Sequence, residues 1–432
     1  MSPASEDPAL KVPALSEAFA QASQPAGRIG GEGVQDSAKL VELASQAPVI
    51  RLVDQLLLEA VKRRASDIHV EAFEQGVQVR YRIDGRCYQI AQPPKSLALA
   101  LASRIKVLAN LDVAESRLPQ DGRILLALSE RQIDLRVSTL PTIHGESIVL
   151  RVLDKNSLDK TLTQLGMEPS TQQAMERLIQ QPHGLLLVSG PTGAGKTTTL
   201  YACLSKINRP ELKLITTEDP VEYDVPRLVQ VSVSSKIGLD FATCLRSILR
   251  HDPDVIMVGE IRDAETAQVA FQASLTGHMV FSTLHTNDAP GAVTRLLDMG
   301  LEPFLITSTV SGVLAQRLVR QLCQECRAPY DPSAAELKAL GLEAGQLTQP
   351  LMKPVGCAAC QDIGFKGRSG IFELLIMSEA LRPLVFERNS VGMLRQQARE
   401  LGMKSLREDG IAKVLAGMTT VEEMVRETQD YE

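Results

Sequence analysis

The chain has no tryptophan, and its aromatic content is only 3%. It also has no excess of positive charge: 46 Lys and Arg stand against 52 Asp and Glu, a formal net charge of −6. Proteins that track single-stranded nucleic acid need a basic groove interleaved with stacking rings, so nothing here favours nucleic acid as a partner. No window holds about 18 consecutive apolar residues, so no membrane-spanning helix is expected. The N-terminus, Met1-Ser2-Pro3-Ala4-Ser5-Glu6-Asp7-Pro8, lacks the basic and apolar regions of a secretory signal. A cytoplasmic location follows as the expectation, with the seven cysteines kept reduced. A 44% hydrophobic, 23% charged composition over 432 residues is that of a globular protein with two or three domains.

What is present is more specific. Gly190-Pro191-Thr192-Gly193-Ala194-Gly195-Lys196-Thr197 is a complete G-x-x-x-x-G-K-[ST] phosphate-binding loop. It follows the apolar run Leu185–Val188 and opens a helix-compatible stretch from Thr197, the strand–loop–helix setting that the motif requires. Glycines let successive N–H groups curl inward toward the phosphates, and the helix N-terminus adds partial positive charge. Lys196 neutralises phosphate oxygens and Thr197 is suited to ligate Mg²⁺. The loop implies binding of a nucleoside triphosphate such as ATP.

Residues 1–44, rich in Ala, Ser, Pro, Gly and Gln, read as a flexible tail with a short helix near Leu15–Gln21. Over 45–155, a helix with apolar residues at 50, 52, 53, 56, 57, 60 and 61 precedes strand-like pieces at 67–71 and 77–83. Asp84-Gly85 supplies a turn, a helix fits 96–109, and runs at 123–128 and 132–137 make a hairpin. This is a small α+β domain. Residues 156–432 change rhythm. Strands are expected at 184–189, 213–218, 254–259 and 278–284, with helices at 196–207, 240–250 and 263–275. Such alternation predicts an α/β domain on a mostly parallel sheet, with nucleotide at the strands' C-terminal ends. Beyond Asp288 the pattern is mostly helical, interrupted by a cysteine-bearing insert at 320–370.

Around the loop, Asp254–Val258 is an apolar strand leading to Glu260, placed to polarise an attacking water. Glu218 and Glu222 follow a second apolar run and are candidates to hold Mg²⁺ through its waters. His278 and His285 bracket a strand; their separation is not a metal-ligand spacing, and sensing of the γ-phosphate competes with simple local hydrogen bonding. Cys323-Gln324-Glu325-Cys326 and Cys357-Ala358-Ala359-Cys360 are two C-x-x-C knuckles suited to a structural Zn²⁺, with a disulfide pair or four buried thiols as alternatives.

Together these segments resemble the secretion ATPase superfamily of type II secretion and type IV pilus assembly. Gly190–Thr197 resembles its Walker A, Thr217–Tyr223 its Asp box, Asp254–Asp263 its Walker B and Leu275–His285 its His box. The tetracysteine insert is similar to that of the GspE-like and PilB-like assembly branch. The resemblance implies a RecA-like ATPase core preceded by a PAS-like lobe, and a homo-hexamer. It implies arginines from the smaller lobe that reach the phosphates, here Arg123 and Arg136. It also implies catalytic or Mg²⁺-associated roles for Glu260, Glu218 and Glu222, His-box roles for His278 and His285, and a motor for protein export at the inner face of the cytoplasmic membrane. The implied partner is an inner-membrane platform protein. Many members carry a folded N-terminal docking domain; with a 44-residue tail instead, the tail or another surface is expected to recruit the enzyme. Type IV pilus extension and, more remotely, a RecA-like nucleic-acid translocase are the alternative functions.

Overall fold

The computed structural model describes residues 37–128, 131–154, 160–343 and 345–429, together with Leu10, Val12, Leu15, Ala18, Phe19 and Ala22. The chain divides into two compact units, Met1–Ser157 and Leu158–Glu432.

The first unit comprises α1 (Ser37–Ala44), α2 (Ala47–Lys62), β1 (Asp67–Phe73), β2 (Gly76–Ile83), β3 (Arg86–Ala91), α3 (Ala98–Leu108), β4 (Gln120–Leu128), β5 (Arg131–Thr142) and β6 (Gly145–Asp154). Its strands form one sheet in the order β3-β2-β1-β6-β5-β4, antiparallel throughout. The turn between β2 and β3 places Asp84 at φ 49° and Gly85 at φ 89°, the paired positive values of a tight hairpin. One sheet face alternates inward, and α2 buries Val49, Leu52, Val53, Leu56, Leu57 and Ala60. The buried Tyr81 hydroxyl donates to the Leu56 carbonyl at 2.7 Å. Lys106 on α3, wholly buried, reaches Glu146 at the start of β6 at 2.6 Å and donates to the Glu115 carbonyl at 2.7 Å.

Two expectations change here. The expected tail ended at residue 44, yet α1 is folded, with Leu40 and Ala44 buried. A helix of two turns offers too short an apolar period to stand out from its neighbours. The strands β3 and β6 were not foreseen. The expected helix near Leu15–Gln21 and the rest of the tail fall mostly outside the described residues, as do Ser129 and Glu130 at the expected hairpin turn.

The second unit runs α4 (Pro169–Leu178), β7 (Gly184–Ser189), α5 (Lys196–Ile207), β8 (Leu214–Glu218), β9 (Leu228–Ser232), α6 (Phe241–Ile248), β10 (Val255–Val258), α7 (Ala264–Leu275), β11 (Met279–Leu284), α8 (Ala289–Asp298) and α9 (Pro303–Thr309). It continues with β12 (Val310–Leu322), β13 (Ala328–Tyr330), α10 (Ala334–Ala339), β14 (Leu351–Lys353), β15 (Phe365–Ile376), α11 (Arg382–Phe386), α12 (Val391–Glu400), α13 (Leu406–Leu415) and α14 (Val421–Thr428). A 7-stranded sheet has the order β15-β12-β7-β11-β10-β8-β9, parallel except for the antiparallel edge strand β15. Helices cover both faces, which is why β7, β8, β10 and β11 are buried at every position.

Beyond Asp288 the expected helices are accompanied by two long strands of the main sheet. In β12, Gln316, Arg317 and Arg320 are buried, so the strand shows neither an apolar run nor alternation. Among the described residues, no helix is long and apolar enough to cross a membrane.

Candidate functional site

The phosphate loop hangs between β7 and α5, at the C-terminal edge of the parallel strands. Gly190 takes φ 150°, and a Cβ there would sit 2.5 Å from the Gln316 carbonyl oxygen. Gly193 and Gly195 hold φ 80° and 84°; no neighbour crowds Gly193, so backbone conformation alone calls for glycine there. Pro191, Thr192 and Gly193 are exposed, Ala194 is buried, and Thr197 is half-buried in the first turn of α5. Lys196 is 9% exposed, and its Nζ donates to the carbonyls of Gly190 at 2.8 Å and Pro191 at 3.1 Å. Burial, helped by the Arg317 guanidinium and opposed by Glu260, brings its pKa down to about 8. The cation is thus poised beside the loop, with Glu260 near enough to act on it.

Glu260 lies just past β10. The strand ends around it are tied together: Gly259 N–H donates to the Thr217 carbonyl at 2.8 Å, and Ile261 N–H to the Thr283 carbonyl at 3.0 Å. Ser282 and Thr283 hydroxyls donate to the carbonyls of Val258 and Gly259, each at 2.8 Å. One Glu260 oxygen faces His285 Nε2 at 3.4 Å, and the other accepts from Arg262. Burial works against its charge, but Arg262 and then His285 outweigh that, so its pKa lies below the usual carboxylate range. The structure therefore brings Glu260, His285 and Lys196 to one edge of the sheet.

Glu218, the last residue of β8, is buried, and both its oxygens are engaged. Tyr201 Oη, from α5, donates to Oε2 at 2.5 Å; Thr216 Oγ1 at 2.5 Å and Gln230 Nε2 at 3.1 Å share Oε1. Burial first, then Glu218, raises the Tyr201 pKa, so the phenol stays protonated as the donor. Glu222 follows in the adjoining loop, half-buried.

His278 is not brought to this edge. It precedes β11 at the strand's N-terminal end, about 20 Å along the strand from His285. Its Nδ1 lies 2.8 Å from the Ala273 carbonyl and 3.2 Å from Thr276 Oγ1, closing the end of α7. Within the subunit it serves as a local hydrogen-bonding group, and spacing alone could not separate the two roles.

Arg123 and Arg136 belong to the first unit, at directly opposed positions of β4 and β5. Arg136 in turn faces Arg151 on β6, so three arginines line up across one sheet face. Arg123 Nε donates to Asp134 at 2.6 Å, and Arg151 Nε lies 3.2 Å from Asp67. Like charges stacked this way repel unless acids or a bound anion answer them. Arg151 was not foreseen; its signal was a lone charge inside the apolar run Ile148–Leu153. Gln316, Arg317 and Tyr201 were missed as well, because their contacts with the loop, with Asn287 and with Glu218 depend on strand register and helix packing.

Cys323, Cys326, Cys357 and Cys360 converge between the end of β12 and the start of β15, with all four sulfurs within 4.8 Å of one another. The Cys323–Cys357, Cys357–Cys360 and Cys326–Cys360 sulfur separations are 3.9, 3.8 and 3.7 Å. A tetrahedral Zn²⁺ with bonds of about 2.3 Å needs edges of about 3.8 Å. A disulfide needs about 2.05 Å, so none exists here. Burial opposes a thiolate at Cys360, but N–H groups of Cys357 and Gly364, each 3.2 Å from its sulfur, lower its pKa. The donor set fits zinc.

The sequence and the fold both have counterparts among known proteins. The sequence model of the type II/IV secretion system protein family matches residues 42–426. The type II secretion system protein HxcR of Pseudomonas aeruginosa is 50% identical over 399 residues, 92% of this chain and 81% of that protein. Type II secretion system protein E of Dickeya dadantii is 51% identical over 402 residues, covering 92% and 79%. Among solved structures, the pilus retraction motor PilT with bound ADP superposes with a TM-score of 0.58 at 25% identity, covering 87% of this chain and 97% of that one.

Proposed function

The chain belongs to the type II/IV secretion system protein family, and on that basis we propose how its residues make it the ATP-hydrolysing motor of a type II secretion machine. Relatives that share half their residues with it over nearly the whole chain bear type II secretion names, which favours export over pilus extension. The observation that carries the mechanism is the meeting of Lys196, Glu260 and His285 at the mouth of a phosphate loop.

The loop 190–197 receives the β- and γ-phosphates on its backbone N–H groups, and Lys196 leaves the Gly190 and Pro191 carbonyls to meet them. Glu260, ionised and aimed by Arg262 and His285, accepts a proton from the attacking water. Mg²⁺, when bound, screens phosphate charge; Thr197 would hold it directly, with Glu222 reaching its waters. Glu218 keeps its bonds to Tyr201 and Thr216 and so acts by fixing β8 to α5 rather than by touching the ion. Arg123 and Arg136 serve as guanidinium donors to transition-state charge, with Arg151 completing their row. The four cysteines hold a structural Zn²⁺. The working form is a homo-hexamer in the cytoplasm, engaged at the membrane by an inner-membrane platform protein.

Lys196→Ala tests the nucleotide site. Affinity for Mg–ATP, measured by calorimetry, is expected to fall at least about tenfold, since a charge-assisted contact contributes about 1.5–3 kcal/mol. Wild-type affinity in that variant would remove the phosphate assignment.

A further inference from the structure

We propose that Gln316 is a positioning residue for nucleotide binding: its side-chain amide holds the phosphate loop in the shape that receives phosphate. The inference rests on the nucleotide site proposed above and assigns it a residue from outside its motifs.

Gln316 lies on β12, one residue past the last pair that β12 makes with β7, Ala315 with Ser189. That register sets it directly beside the point where β7 gives way to the loop. It is only 2% exposed, and both ends of its amide are used. Nε2 donates to the Ala194 carbonyl at 2.5 Å, and Oε1 accepts from the Thr199 hydroxyl at 2.7 Å. A carbonyl can only accept, so the Ala194 contact fixes which end of the amide carries the NH₂ group. One side chain thus ties the loop to the first turns of α5.

The consequence is geometric. In a trans peptide the C=O and N–H point in opposite directions. With the Ala194 carbonyl turned to Gln316, the Gly195 N–H on the same peptide must point away from β12. An unanchored peptide flanked by glycine could rotate and present the carbonyl oxygen to phosphate, which repels it. The Gln316 backbone takes part too, since its carbonyl oxygen closes off the space beside Gly190. On the other side of β12, Arg317 reaches Asn287 at 3.2 Å, so the strand grips the loop edge and the segment after β11 together. Four residues after Gln316, Arg320 is ion-paired with buried Glu423 of α14 at 2.7 Å, which anchors the strand.

Calorimetric binding of Mg–ADP to the full chain tests this with two substitutions. Gln316→Leu keeps the volume and loses both bonds; affinity is expected to fall about tenfold, the worth of one or two hydrogen bonds. Amide exchange of residues 190–197 should quicken in it while β10 stays protected. Gln316→Glu separates positioning from packing. As a neutral acid it can still donate to Ala194, whereas as a carboxylate it cannot. Its affinity relative to wild type should therefore drop as pH rises from about 6 to about 9, across the raised range of a buried carboxyl. Wild-type affinity in the Leu variant, or a Glu variant that tracks wild type at every pH, would overturn the role. If the Leu variant does not fold, the pH dependence of the Glu variant decides. Failure of the wild-type chain itself to bind Mg–ADP would overturn the nucleotide site, and Gln316's role with it.

Discussion

Glu260→Gln is expected to bind ATP as the wild-type chain does and to hydrolyse it about 10²–10⁴-fold more slowly, the usual contribution of a positioned general base. The substitution keeps size and hydrogen-bonding shape while removing the charge. Its neighbours make this a modest change, because Arg262 can still donate to the amide oxygen while the NH₂ group takes the place of the oxygen that faces His285 Nε2, a ring nitrogen able to accept when it carries no proton. The carboxylate is held below its usual pKa, so it is already the ionised acceptor at neutral pH. Loss of turnover through this group should accordingly set in only under acid conditions, below the ordinary carboxylate range. Single-turnover phosphate release, run beside equilibrium ATP binding, separates the two steps. Unimpaired turnover would move the base elsewhere, and weakened binding with normal turnover would make Glu260 a binding residue.

The second large effect concerns the four cysteines. Elemental analysis of chain purified without chelator should find about one Zn²⁺ per molecule, and the double change Cys323→Ser, Cys357→Ser should abolish it. Structural zinc contributes about 10–16 kcal/mol of apparent binding free energy, so its loss should loosen the knuckles even though Leu340 and Leu351 pack with Val414, Val421 and Met424. The cluster joins the end of β12 to the start of β15, and Cys323 N–H donates to the Gly364 carbonyl at 3.0 Å. The small β13–β14 ribbon lies between the two knuckles. Removal of zinc should open residues 323–364 to proteolysis while β7, β10 and β11, buried in the parallel sheet, stay resistant. A metal-free wild-type chain with a protected insert would mean that four thiols pack unaided.

How much of this could be read beforehand differs from element to element. The phosphate loop was legible because its chemistry demands special backbone: Gly193 and Gly195 occupy left-handed conformations that other residues avoid. β7, β8, β10 and β11 were legible as short apolar runs, while the half-exposed β9 was not, and helix α5 was expected at 196–207, where it lies. Glu260 was legible as the acid that follows such a run. Gln316 was not, since nothing local marks it; its value comes from a register across two strands far apart in sequence. β12 itself was obscured because sheet neighbours and helices bury it on both faces, polar residues included. Arg151 and Arg136 share one row only through antiparallel pairing of β5 with β6. For His278, spacing allowed two roles, and the turn after α7 satisfies its ring locally.

ATP hydrolysis by this chain drives protein export. The most direct test is the release of type II secreted proteins into the medium by the chain's native cells, with the resident copy replaced by Glu260→Gln at matched protein level. Coupled hydrolysis predicts that cargo accumulates inside the cells while the variant still binds ATP. Normal release by cells that hold only the hydrolysis-deficient chain would contradict it.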